Sequence, residues 1–169
     1  MIAVSAAESA STPLVLSRRL GRASAEASQP LRLALTAEER TRLRGLRHST
    51  DGQPLLLQLP RGEPLEPGEV LAPQGGPERV QVAAAPEPLL RVHAADGLAL
   101  LQVAYHLGNR HVAMEIHPKE LRLLHDPVLV HLLEHRGLSI EAIEAPFHPE
   151  TGAYGGPSHS HAHSHSHDH

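Results

Sequence analysis

The last residues of the chain read HAHSHSHDH, and from His159 a histidine stands at every second position: His159, His161, His163, His165, His167 and His169. Small Ser and Ala residues and one acid, Asp168, separate them. A backbone of that kind can fold several neutral imidazoles around one cation, with carboxylate oxygens as additional donors. The interrupted spacing differs from the unbroken histidine run of an expression tag. Imidazole and carboxylate together suit Ni(II), Zn(II) and Cu(II), and intrinsic affinity favours copper, so the tail alone does not choose nickel. His148, beside the tail, can join its cluster.

The chain has fifteen His and no Cys. Without thiolates there is no disulfide framework, no thiolate zinc site and no iron–sulfur cluster, so a bound metal must be held by imidazole and oxygen. Metal binding needs the neutral imidazole, so metal affinity is expected to fall on acidification.

A second histidine signal is internal. YHLGNRH carries His106, Gly108, Asn109, Arg110 and His111 at the expected junction of a helix and a strand, where a Gly-Asn stop would present His111 from a backbone corner. Taken alone, a histidine at such a corner is more often a capped or hydrogen-bonded residue than a ligand. His125 precedes a helix cap and is a secondary candidate ligand. His131 and His135 share a helical face, but no glutamate base accompanies them as in HExxH, so they read as solvated surface. His48, His93, His106 and His117 have no partner at a telling spacing and read as structural.

Other chemistries find little support. Glu38 with Glu39, and Glu141 with Glu144, are acid pairs without a nucleophile, and no GxSxG, P-loop or dinucleotide fingerprint is present. A formal charge of -4 with scattered basic residues, and an aromatic set of one Phe, two Tyr and no Trp, argue against a nucleic-acid partner. MIAVSAAESAST lacks a basic start and a long apolar run, and no eighteen apolar residues stand together, so no membrane segment is expected and a cytoplasmic location is the default.

These residues need elements to position them. Residues 1–13 and the stretch Gly21–Gln29 are small and polar and read as flexible or loop. From Leu31 to Ala85, short apolar runs (LRLAL, PLLLQLP, EVLAP, RVQVAAA) alternate with Gly, Pro and Asp-Gly, as in a small β module, while Thr36 and Glu39 have capping-box spacing for a short helix. Further on, Leu89–Val92 reads as a strand. Asp96 can cap a helix bearing Leu98, Leu101 and Tyr105 at helical spacing and stopped by Gly108. Val112–Ile116 and Leu121–Leu124 read as strands joined by a turn at His117-Pro118-Lys119-Glu120. A second helix runs from cap Asp126 and Pro127 through Leu129, Leu132 and Leu133 to Gly137, and Leu138–Ala145 reads as a last strand. The expected class is α+β: a β-rich domain over 14–86, a ferredoxin-like βαββαβ domain over 87–147, and a disordered His-rich tail over 148–169.

Three motifs together, YHLGNRHV from Tyr105, HDPVL from His125 and PFHPETGAYGG from Pro146, resemble the urease accessory protein UreE family. PLLLQLPRGEPLEPGEVL resembles that family's first domain, and the likeness runs from about residue 14 to the end. It implies a nickel metallochaperone rather than an enzyme, with a peptide-binding-like first domain and a two-fold homodimer. His111 matches the family's principal ligand, contributed by both chains to one ion at the dimer interface. The implied partners are an accessory GTPase and the apo-urease complex. The chain departs from the pattern in carrying Ala113 where Pro often follows, and Pro127 where some members have another His. Two readings from other classes stand beside this one: a metal buffer whose functional part is the tail, and a metal-independent assembly module using edge strands of the first domain.

Overall fold

The structure, a computed structural model, describes residues 12–22 and 30–150. Most of the N-terminal stretch 1–13, most of Gly21–Gln29, and the tail with His159, His161, His163, His165, His167, Asp168 and His169 lie outside the described residues.

Seven strands make the first part: β1 (Leu14–Leu16), β2 (Arg18–Arg19), β3 (Leu31–Leu35), β4 (Arg44–His48), β5 (Pro54–Gln58), β6 (Val70–Ala72) and β7 (Val80–Ala84). They form two sheets, ordered β1-β5-β4 and β2-β6-β7-β3, with β1–β5 and β3–β7 as the parallel pairs. Alternation along each strand turns one set of side chains inward. Leu33 and Leu35 of β3, Leu55 and Leu57 of β5, and Val80 and Val82 of β7 meet Leu16, Leu59, Leu65 and Leu71 in one leucine-rich core. At about 1.5–3 kcal/mol for each fully buried aliphatic side chain, this core can hold the module without aromatic residues. Between β3 and β4 lies a single turn of helix, α1 (Ala37–Arg40), closed by the expected capping box: Glu39 N donates to Thr36 Oγ1 at 3.2 Å and Thr36 N to Glu39 Oε2 at 3.0 Å.

The second part runs β8 (Pro86–His93), α2 (Gly97–Gly108), β9 (Glu115–Ile116), β10 (Leu121–Leu124), α3 (Pro127–Glu134) and β11 (Ser139–Pro146). Its sheet is ordered β11-β8-β10-β9 with every neighbouring pair antiparallel. Leu90 and Val92 of β8 and Leu121 and Leu123 of β10 form a second core with Leu100, Val103 and Leu107 of α2 and Leu133 of α3. Asp96 and Asp126 cap the helices, accepting from Ala99 N at 2.8 Å and Val128 N at 2.7 Å.

Two expectations change here. The set Leu98, Leu101 and Tyr105 is not the buried face of α2: these side chains are 67, 70 and 68 % exposed, while Leu100, Val103 and Leu107 go inward. The sets are offset by two residues, about 200° around a helix, so they lie on opposite sides; with apolar residues on both, period alone fits either. The strand expected over Val112–Ile116 shrinks to Glu115–Ile116, because the chain first makes a left-handed turn at His111.

Among the described residues, hydrogen bonds tie the parts together. Ala37 N donates to Glu87 Oε1 at 2.7 Å, and Arg40 Nη2 donates to the Phe147 carbonyl at 2.5 Å. Glu87, Arg40 and Phe147 are all buried, and these bonds satisfy the Glu87 carboxylate and the Arg40 Nη2 there, while Arg40 Nε has no partner among the described residues.

Candidate metal centre

The backbone that presents His111 is set by how α2 ends. Val112 N donates to Leu107 O at 3.1 Å and His111 N to Gly108 O at 2.9 Å, the paired bonds of a Schellman ending. The left-handed residue that this motif requires is His111, with φ 56°, the sole non-glycine with positive φ among the described residues. α3 ends the same way, with Leu138 N to Leu133 O at 3.3 Å and Gly137 N to Glu134 O at 2.8 Å, and there Gly137 takes the left-handed position at φ 73°. Gly108 and Asn109 are therefore not the stop. Asn109 is right-handed, and a side chain with a Cβ occupies the place that glycine fills in the sister helix. The left-handed region costs a residue with a Cβ about 1–2 kcal/mol.

His111 is exposed and lines an open cleft of about 520 Å³ with Glu150 and the apolar Ala104, Val112, Met114 and Ile116. Glu150 comes from the far end of the chain. Phe147, the only Phe, is buried, His148 N donates to Glu115 Oε2 at 3.1 Å, and Glu150 N donates to Met114 O at 2.8 Å, which pins the strand-like exit of β11 beside the segment after His111. Glu150 falls within the motif PFHPETGAYGG, but the motif alone gives it no role; its position beside His111 follows from this pinning.

The other predicted residues sit elsewhere. His125 is exposed, its N–H bonded to Pro88 O at 3.0 Å. His148 lines clefts shared with Ala37, Arg40 and Pro64 and with Arg32 and Gly68, not the His111 cleft. His131 and His135 are exposed. His106 is half-buried, edge-on to Tyr105 with centroids 5.6 Å apart. Among the described residues no three His, Asp or Glu side chains gather closely enough to hold a metal ion. The described part of one chain thus brings His111 and Glu150 to the lining of one cleft, with no third potential donor beside them.

A charged network flanks the cleft at the β9–β10 turn. His117 Nε2 lies 2.8 Å from Glu115 Oε1, and Arg122 Nε donates to Glu120 Oε1 at 2.7 Å. Burial pushes the Glu120 carboxyl up, but the bond and charge of Arg122, with Arg91 and His117, outweigh it and hold Glu120 below the usual carboxylate range. Tightly paired in this way, these acids and His117 are structural partners of one another.

Beside the cleft, Leu98, Leu101 and Tyr105 of α2 and Ile116 of β9 leave large apolar surfaces uncovered. A contiguous group of this kind usually marks an interaction face.

A leucine-cored β module is thus followed by a mixed helix–sheet module with an exposed histidine at the end of its first helix. The family model described as the N-terminal domain of the UreE urease accessory protein matches residues 16–85, and the C-terminal domain model matches 87–169. Urease accessory protein UreE of Synechococcus sp. (strain WH7805) is 57 % identical over 152 residues, covering 88 % of this chain and 87 % of the relative. That of Parasynechococcus marenigrum (strain WH8102) is 51 % identical over 146 residues, 86 % of this chain and 96 % of the relative. That of Pseudomonas fluorescens (strain Pf0-1) is 46 % identical over 147 residues, 86 % of each. The chain belongs to the UreE urease accessory protein family.

Proposed function

We propose that this protein is a cytoplasmic nickel carrier for urease maturation and not an enzyme: a homodimer that takes up Ni(II) through its histidine tail and His111 and passes it by ligand exchange to an accessory GTPase and apo-urease. Family membership supports the role in maturation. The observation that carries the metal reading is His111 itself, an exposed imidazole held in a left-handed position that its sister helix gives to glycine. Strain of this type persists where function requires the side chain.

The donor chemistry fits the cargo. With no cysteine, the chain has only imidazole and oxygen to offer, a set that suits nickel and also accepts Zn(II) or Cu(II) in vitro. One cleft with an incomplete donor set favours completion across a two-fold axis, and the uncovered stripe Leu98, Leu101 and Tyr105 beside it is suited to such an isologous contact. Tail histidines His159, His161, His163, His165, His167 and His169, with Asp168, would complete or exchange the remaining positions, and His125 and His148 are auxiliary ligands in this scheme. The domain division we adopt is 14–86, 87–147 and a tail from 148. The order strand–helix–strand–strand–helix–strand and the antiparallel sheet β11-β8-β10-β9 favour the ferredoxin-like assignment. No helix among the described residues is long and apolar enough to cross a membrane.

The test is calorimetry of wild type and His111→Ala with Ni(II) and Zn(II), with and without residues 158–169, while light scattering follows mass. One tight site per dimer that survives loss of the tail and disappears with His111 is the expected result. If all binding leaves with the tail, the protein is a metal buffer. In cells, urease activation undiminished by His111→Ala at limiting nickel would sink the carrier reading.

A further inference from the structure

We infer that Glu150 is an oxygen ligand of the ion held at His111, contributed by each chain of the dimer, so that the bound dication is charge-neutralised as well as chelated. This rests on the proposed two-chain site at His111.

Glu150 lines the same cleft as His111, and the rest of that cleft is mainly apolar: Ala104, Val112, Met114 and Ile116. A divalent ion held there by two neutral imidazoles would keep its full charge against an apolar wall, which the proposed two-fold contact would withdraw from water. Unpaired charge in such surroundings is expensive, whereas the same ion with two carboxylates has no net charge. Glu150 is exposed at the edge of this cleft, and it also borders the neighbouring cleft that holds Arg40 and His148, so a rotation of its side chain decides which of the two its carboxylate serves.

The position of Glu150 is built rather than incidental. Its own N–H is bonded to Met114 O, the His148 N–H two residues before it to Glu115 Oε2, and Phe147 is buried with its carbonyl held by Arg40 Nη2. Anchors at residues 147, 148 and 150 hold the backbone leaving β11 against Met114, so that residue 150 borders the cleft that His111 lines. They act through backbone groups and Phe147, so replacing the Glu150 carboxylate leaves them in place. A carboxylate also distinguishes this site from the histidine tail, whose alternating residues offer mostly imidazole.

The experiment uses the full-length chain as wild type, Glu150→Gln, His111→Ala and the double variant, each loaded with half an equivalent of Ni(II) per chain so that the tightest site fills first. Competition with a chelator gives affinity, and X-ray absorption gives the donor atoms. Glu150→Gln is expected to weaken the tightest site on the order of ten- to a hundredfold, with carboxylate scattering lost and imidazole scattering kept. The double variant is expected to bind no more weakly than His111→Ala alone. Wild-type and Glu150→Gln affinities within twofold of each other overturn the assignment while leaving the His111 site standing. Equal weakening by Glu150→Gln in both backgrounds also overturns it, because Glu150 would then serve a different ion. If His111→Ala matches wild type, the His111 site itself fails.

Discussion

His111 combines two demands that usually fall on different residues: it ends a helix in the left-handed conformation and it offers an imidazole to the cleft. Glycine meets the first demand without strain and cannot meet the second. His111→Gly is therefore expected to raise unfolding stability by up to about 1 kcal/mol while abolishing the tight metal site, and His111→Ala to lose the site with no such gain. Denaturant melts beside calorimetry check both, and a destabilised His111→Gly would remove the strain argument. Spacing alone leaves His111 as an ordinary capped histidine; only the surrounding motif YHLGNRHV marks it, and its left-handed geometry is invisible because Gly108 and Asn109, the better stop residues, stand just before it. Glu150 lies inside the motif PFHPETGAYGG, but its place beside His111 is legible only once distant backbone bonds fix where that segment lies.

At the scale of elements, punctuation was a better guide than period. α3 follows from local chemistry, with Asp126, Pro127 and Gly137 each in the role its residue type suggests. β10 and the turn before it also match their reading, with His117 N bonded to Glu120 O at 2.9 Å. By contrast, the buried side of α2 depends on what packs against it, and β1 and β2 are too short to announce themselves. The parallel pairs β1–β5 and β3–β7 join segments far apart in sequence, so no local pattern encodes them. The β9–β10 turn gives a pH prediction. Glu120 has a lowered pKa, so its contribution is fully present above its ordinary value of 4.5 and is lost as pH falls through the lower folded value. Glu120→Gln is expected to cost about 1 kcal/mol at pH 7 and little in strong acid. Unfolding curves at the two pH values measure this, and an equal cost at both would show that charge is not the cause.

For the whole molecule, the consequential feature is the uncovered stripe on α2. Leu101→Glu places a charge at its centre, on a side chain 70 % exposed in the single chain, so the fold should tolerate it. The expected outcome is a folded monomer by light scattering, with near wild-type circular dichroism and no tight shared site. A dimer that persists would mean that another surface joins the chains. The two cores are bridged by Glu87 to α1 and by Arg40 to Phe147, so the second of these bonds links the β module directly to the segment that carries Glu150.

The unequal endings of α2 and α3 have a consequence for descent. Under the proposed carrier role, a lineage that dispenses with urease has nothing to hold histidine at 111, and the physical bias of that backbone turns toward the residue already standing at 137. Drift in such a lineage should erase the imidazole first and leave the rest of the gene readable, so a glycine at this corner in an otherwise intact copy would record the loss of its occupation.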